Sequence, residues 1–237
     1  MPSDQVAGRS TPQLAVGKNM QLPFTTEQFF AVFRDYNEAV WPAQVFLSGL
    51  SLIALIAMFV PRSWSGLVVS LVLAFLWAWL AVAYHFFFFS RINPLAYVFG
   101  GVSFAGSLVL GWQGVIRRRL RFGWVGGARA ASGVLLVAYA LVLYPVWSWF
   151  AGHRYPDTPT FGLPCPTTIF TVGVLAFLTT PYPRSTFVVP ILWCTVGAQA
   201  AILLGVPQDF GLILAGIVGL ALVAMPNPRG PPQPVAP

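Results

Sequence analysis

GLVVSLVLAFLWAWLAVAYHFFFF, the stretch Gly66–Phe89, contains no Asp, Glu, Lys or Arg. It exceeds the ~20 apolar residues that a helix needs to cross a hydrocarbon core. Its apolar residues neither alternate nor leave a polar stripe, so a half-buried strand and a soluble surface helix both fit poorly. Working outward, six more apolar runs follow the same rule: Trp41–Val60, Leu95–Ile116, Ser132–Phe150, Thr167–Thr180, Thr186–Leu204 and Phe210–Met225. The pattern predicts an all-α fold, a polytopic integral membrane helix bundle with about seven transmembrane helices. The run Thr167–Thr180 is short, and it is expected to begin earlier, at Pro164 or Pro166, or to cross where neighbouring helices cover it.

Composition points the same way. Of 237 residues, 57% are hydrophobic and 8% charged, against about 25% charged in soluble domains. A soluble fold would have too few charges to cover its surface. The net charge of +7 does not imply nucleic-acid binding, because no basic domain or stacking surface accompanies it. The basic residues instead sit between apolar runs, where positive loops set topology. The expected partner is the lipid bilayer. Cys165 and Cys194 are the two cysteines, one at the start of a span and one within a span, too far apart for a disulfide.

Before the first span, Phe29, Phe33, Tyr36 and Val40 recur at helical spacing, with Glu27, Arg34, Asp35 and Glu38 at other positions. This is the pattern of an amphipathic interfacial helix, in which Arg34 and Glu38 are placed to pair. The organisation is then a mobile N-terminal tail (1–24), a single transmembrane helical domain (25–225) and a disordered Pro-rich tail (226–237). Met1–Pro23 lacks the apolar core and cleavage site of a signal peptide.

With the Arg117–Arg129 connection inside, one side collects Arg62, Arg117, Arg118, Arg119, Arg121, Arg129, Arg184 and Arg229. That bias predicts the N-terminus outside and the C-terminus inside. Asp4, Glu27, Asp35, Glu38, Asp157 and Asp209 all fall outside. Two later spans carry small residues every fourth position: Gly197, Ala201 and Gly205, then Gly211, Ala215 and Gly219. Such ridges pack helices closely in lipid, within the chain or in a homo-oligomer or membrane complex.

No span centre carries an Asp, Glu, Lys or Arg, which disfavours a proton-driven pump. Span parity instead gathers the polar chemistry at one face: Glu38, His85, Arg91, Asn93, His153, Asp157, Cys165 and Gln199 form the candidate outer-face site. Pro164-Cys165-Pro166 puts the thiol at a helix start, where the dipole favours a thiolate. His85, His153 and Cys165 are the candidate metal ligands. No metal-binding or catalytic sequence signature accompanies them, and no cofactor is evident.

FTTEQFF at Phe24–Phe30, YNEAVWPAQ at Tyr36–Gln44, YHFFFFSRINP at Tyr84–Pro94 and PTFGLPCPTT at Pro159–Thr168 together carry a resemblance. They resemble a bacterial multi-pass membrane family catalogued only as a domain of unknown function, from about Phe24 to the seventh span. That resemblance implies a polytopic fold in a bacterial cytoplasmic membrane and carries no functional residue with it. A looser similarity is to the seven-span zinc hydrolases of the alkaline ceramidase and adiponectin-receptor class. Those use three histidines, and this chain has two. The expectation is therefore a small-solute or metal-ion permease, or a membrane sensor, with a polar outer site. The alternatives are an interfacial metal-dependent hydrolase-like enzyme and an accessory subunit of a membrane complex.

Overall fold

The computed structural model describes residues 22–60 and 62–226. The expected tails at 1–24 and 226–237 therefore lie outside the described residues, apart from Leu22–Phe24 and Pro226. Eight helices follow one another: α1 (Thr26–Ala39), α2 (Ala43–Phe59), α3 (Ser65–Arg91), α4 (Ala96–Ile116), α5 (Gly127–Phe150), α6 (Pro164–Leu175), α7 (Arg184–Leu203) and α8 (Pro207–Ala224). Five of them, α3, α4, α5, α7 and α8, are long and apolar enough to cross a membrane. α1 and α2 meet at 83°, and α6 is a shorter apolar helix. Among the described residues there is no strand, only two isolated bridges.

Local chemistry explains the boundaries. Thr25 caps α1: its hydroxyl accepts from the Gln28 amide while the Gln28 side chain accepts from the Thr25 amide, a reciprocal capping box. α1 then buries Phe29, Val32, Phe33 and Tyr36 on one face and leaves Glu27, Arg34, Asp35 and Glu38 exposed, as its amphipathic pattern predicts. α5 starts earlier than expected, at Gly127 rather than Ser132. Arg129 is tolerated in its first turn because its guanidinium donates to the Leu178 carbonyl and lies over the Tyr182 ring.

α6 is the centre of the bundle. Every residue from Pro166 to Leu175 is buried, and the helix packs against α3, α5, α7 and α8. Close approach to α5 depends on Gly173, where a Cβ would lie 3.0 Å from Leu136 and Val137. After α6 the chain makes a turn at 176–177 and reaches the bridge at Leu178. Gly123 donates to Phe177, and Thr179 donates to Arg121, so this strand-like return pairs with the loop after α4. The connection from α4 back to α5 and the end of α6 thus lie at one end of the bundle. The α5–α6 connection lies at the other.

The small-residue positions are used within the chain. A Cβ on Gly197 would meet Leu212 at 2.7 Å, on Gly211 Tyr139 at 2.3 Å, and on Gly219 Ile191 at 2.9 Å. Ala201 and Ala215 are buried. Gly205, in contrast, has a φ of +68° with open space around it and serves the turn between α7 and α8.

Three helices contain π-helical segments: Leu80–Phe86 in α3, Gly111–Ile116 in α4 and Tyr139–Leu143 in α5. Such wider turns interrupt the regular ladder and re-aim side chains, often at functional sites. The segment in α3 carries His85.

Candidate functional site

His85 lies in the π segment at the end of α3 and is fully buried. Aromatic rings enclose the imidazole: Trp193 at 5.0 Å, Tyr84 at 5.2 Å, Phe99 at 6.0 Å and Phe89 at 6.2 Å between centroids. Neither ring nitrogen has a hydrogen-bond partner. This is an expensive arrangement, because a buried polar group left unpaired costs ~1–3 kcal/mol. Trp193 is buried beside it, with its indole Nε1 directed at the Cys165 sulfur.

Both side chains border a cavity of about 260 Å³. Its floor and walls include Leu22, Pro23 and Phe24 ahead of α1, α1 itself (Phe29, Phe33), the end of α3 (Tyr84, His85, Phe89), the turn into α4 and its first turn (Asn93, Phe99), Pro159 and the start of α6 (Leu163, Pro164, Cys165), and the second half of α7 (Trp193, Gly197, Gln199). Leu95 and Leu203, more than half exposed, stand at its rim. The lining is mostly aromatic and aliphatic, with a few polar groups converging on it. That is the usual make-up of a small-molecule site.

Each polar group is positioned by local structure. Asn93 accepts the Leu95 amide at 3.0 Å, the Asx turn that opens α4. Leu163 is the extended N-cap of α6, with Pro164 in its first turn, where a missing N–H costs nothing. Cys165 therefore stands at a helix start, as the sequence predicts. Its neighbour is the Asp209 carboxyl, an acidic group rather than a cation, so the surroundings do not reinforce the helix dipole in favouring a thiolate.

Asp209 corrects one expectation. It is not an outer-loop charge: it is 1% exposed and accepts a 2.5 Å hydrogen bond from the Tyr144 hydroxyl. Next to it, Gln208 donates to Ser148 at 2.8 Å, and Tyr139 donates to the Gln208 carbonyl at 2.7 Å. These bonds fasten the start of α8 to α5 just behind Cys165.

Of the eight predicted site residues, His85, Asn93, Cys165 and Gln199 share the cavity. The other four do not line it. Glu38 is exposed, and Arg34 pairs with Asp157 at 2.6 Å instead of with Glu38. Arg91 lies over Phe88 at 4.7 Å. His153 stacks on Phe30 at 4.2 Å, and burial there lowers its pKa from the ordinary 6.5, with Asp157 opposing the shift. Among the described residues no three His, Cys, Asp or Glu side chains are grouped to hold a metal ion. The candidate ligand set His85, His153 and Cys165 is thus split between the cavity and the outside of α1.

Sequence reasoning overlooked Asn37, fully buried in α1. Its amide donates to the carbonyls of Pro156 (2.6 Å) and Thr158 (2.8 Å), and its oxygen accepts from Thr160 (2.7 Å) and Gln44 (3.3 Å). This single side chain ties the Pro-rich α5–α6 connection to α1 and α2. Gly162, at φ +100° with a hypothetical Cβ 2.4 Å from Leu47, lets the same connection pass under them. Residues 26–229 match the model of a family of unknown function, DUF6064. The chain belongs to the DUF6064 family. No curated protein and no solved structure matches it.

Proposed function

We propose that this DUF6064 protein is a membrane sensor that binds a small, largely apolar molecule bearing one hydrogen-bonding head. The observation that carries this reading is His85, buried with both nitrogens unpaired beside an aromatic cavity. A neutral imidazole offers one donor and one acceptor, so a carbonyl or hydroxyl head seated there would recover the free energy its burial costs. At about 260 Å³ the cavity lies just below the ~300–1,000 Å³ of drug-sized ligand sites, which suits a small molecule.

The membrane reading rests on the five apolar helices and on large exposed apolar side chains around the bundle, such as Ile56, Phe150, Ile202 and Ile217. In water such a surface would aggregate; in lipid it is solvated. We count α2 and α6 as further crossings, giving seven, with α6 covered on all sides by its neighbours. The arginines at the end away from the cavity favour an inner-membrane orientation with the N-terminus outside and the cavity at the outer face.

Sensing is preferred to transport because the layer beneath the cavity is filled by Leu73, Leu76, Trp77 and Phe170, all fully buried. Trp77 also donates to Thr171 at 3.1 Å, which holds that layer closed. The test is a thermal-shift panel on the detergent-purified protein with quinones, fatty acids and isoprenoid alcohols. At least one class should raise the melting temperature of the wild type and leave His85→Phe unmoved. Equal shifts in both proteins would sink the assignment of His85 as the anchor.

A further inference from the structure

At the end of the bundle opposite the cavity, Arg118, Arg119 and Arg121 border a second concavity of about 550 Å³, closed on its other side by Thr179–Pro183. We propose that it is a binding site for a phosphate group, carried by an anionic lipid headgroup or by a free phosphate. Guanidinium groups match phosphate oxygens through parallel, charge-assisted hydrogen bonds. Basic pockets beside membrane helices bind phosphorylated headgroups on the same principle.

Three observations separate this site from a diffuse positive loop. First, no charge balances it. The acids among the described residues, Glu27, Asp35, Glu38, Asp157 and Asp209, all lie at the cavity end, and the one ion pair there is Arg34–Asp157. Second, the loop is built rather than loose. Phe122 bridges Leu178, Thr179 donates to Arg121 at 2.8 Å, and Leu120 between the arginines is 2% exposed. A Cβ on Gly66 would lie 2.3 Å from the Leu120 carbonyl, so α3 packs directly on the loop backbone. A fixed platform loses little freedom on binding.

Third, Arg118 occupies a position that suits glycine. Its φ is 49°, and Arg119 donates back to Gln113 at 2.8 Å, the left-handed ending of a helix. An arginine stands there, bordering the concavity, despite the backbone cost.

The experiment uses the full chain in detergent, with native mass spectrometry counting bound phosphatidylglycerol against phosphatidylcholine of the same acyl chains. A parallel melting titration uses inorganic phosphate. The wild type should prefer the anionic lipid, and the preference should fall about tenfold or more in the double variant R119Q/R121Q. Arg118→Gly, which suits the backbone and should keep the fold, should weaken it as well, whereas Arg62→Gln on the same end should not. Displacement of the lipid by millimolar phosphate, with a rise in melting temperature, assigns the site to free phosphate; no displacement assigns it to the headgroup. Equal retention of both lipids with no phosphate effect would overturn the site, as would equal losses in R62Q.

Discussion

Replacing His85 by Phe should make this protein more stable and less able to bind its ligand. The imidazole is fully buried among four aromatic rings, and neither nitrogen is hydrogen-bonded. Removing a buried, unpaired polar group recovers ~1–3 kcal/mol. A phenyl ring keeps the aromatic shape, and its extra atoms have the adjoining cavity to enter, so overpacking should be small. A net gain of ~2 kcal/mol corresponds to a rise of ~4–8 °C in melting temperature for a chain of this size. His85→Ala should move the other way by ~2 kcal/mol or more, because it enlarges an existing void. The assay is thermal unfolding of the detergent-purified, ligand-free protein, followed by tryptophan fluorescence. If His85→Phe melts below the wild type, the imidazole is paired in the working state and the reasoning fails. The trade is the familiar one in which a binding site keeps groups that the fold alone would discard.

Other consequences follow from the same geometry. Asn37→Ala removes four side-chain hydrogen bonds and should cost ~3–4 kcal/mol at about 1 kcal/mol each. Asn37→Asp should cost more, because a carboxylate would face the two carbonyls that the amide now serves; equal melting of the two variants would contradict this. Gly173→Leu should prevent α5 from seating on α6, lowering folded yield by size-exclusion chromatography, while Gly101→Leu, at an open position, should not. Partial burial lowers the His153 pKa from the ordinary 6.5, so its contribution to stability is complete above pH ~6.5 and declines as pH falls toward the lowered folded-state value. His153→Phe should therefore flatten the melting-temperature profile below pH ~6.5, and an unchanged acid limb would count against that role.

The helices were legible because apolar runs longer than ~20 residues have few alternatives. Gly66–Phe89 alone decides the fold class, and a start of α6 at Pro164 or Pro166 is what a missing N–H allows; the helix begins at Pro164. Gathering of the polar segments at one end was legible too, from the order in which the chain crosses the bundle. Convergence within that end was not. Trp193 and Phe99 read as ordinary apolar residues, and His85 meets their rings from within a π segment, Leu80–Phe86. No periodicity announces such a segment. Asn37 sits between Tyr36 and Glu38 in an amphipathic pattern that says nothing of its partners more than a hundred residues away. Asp209 looked like a loop charge because its partner, Tyr144, lies on a different helix. Arg34 had a local partner in Glu38 by spacing, yet the tertiary one, Asp157, wins.

Native mass spectrometry of the protein extracted gently from cells in mild detergent tests the central claim most directly. The account predicts one small, largely apolar molecule bound per chain, present in the wild type and absent from His85→Phe. A wild-type spectrum free of any such adduct, or one that His85→Phe reproduces unchanged, would contradict it.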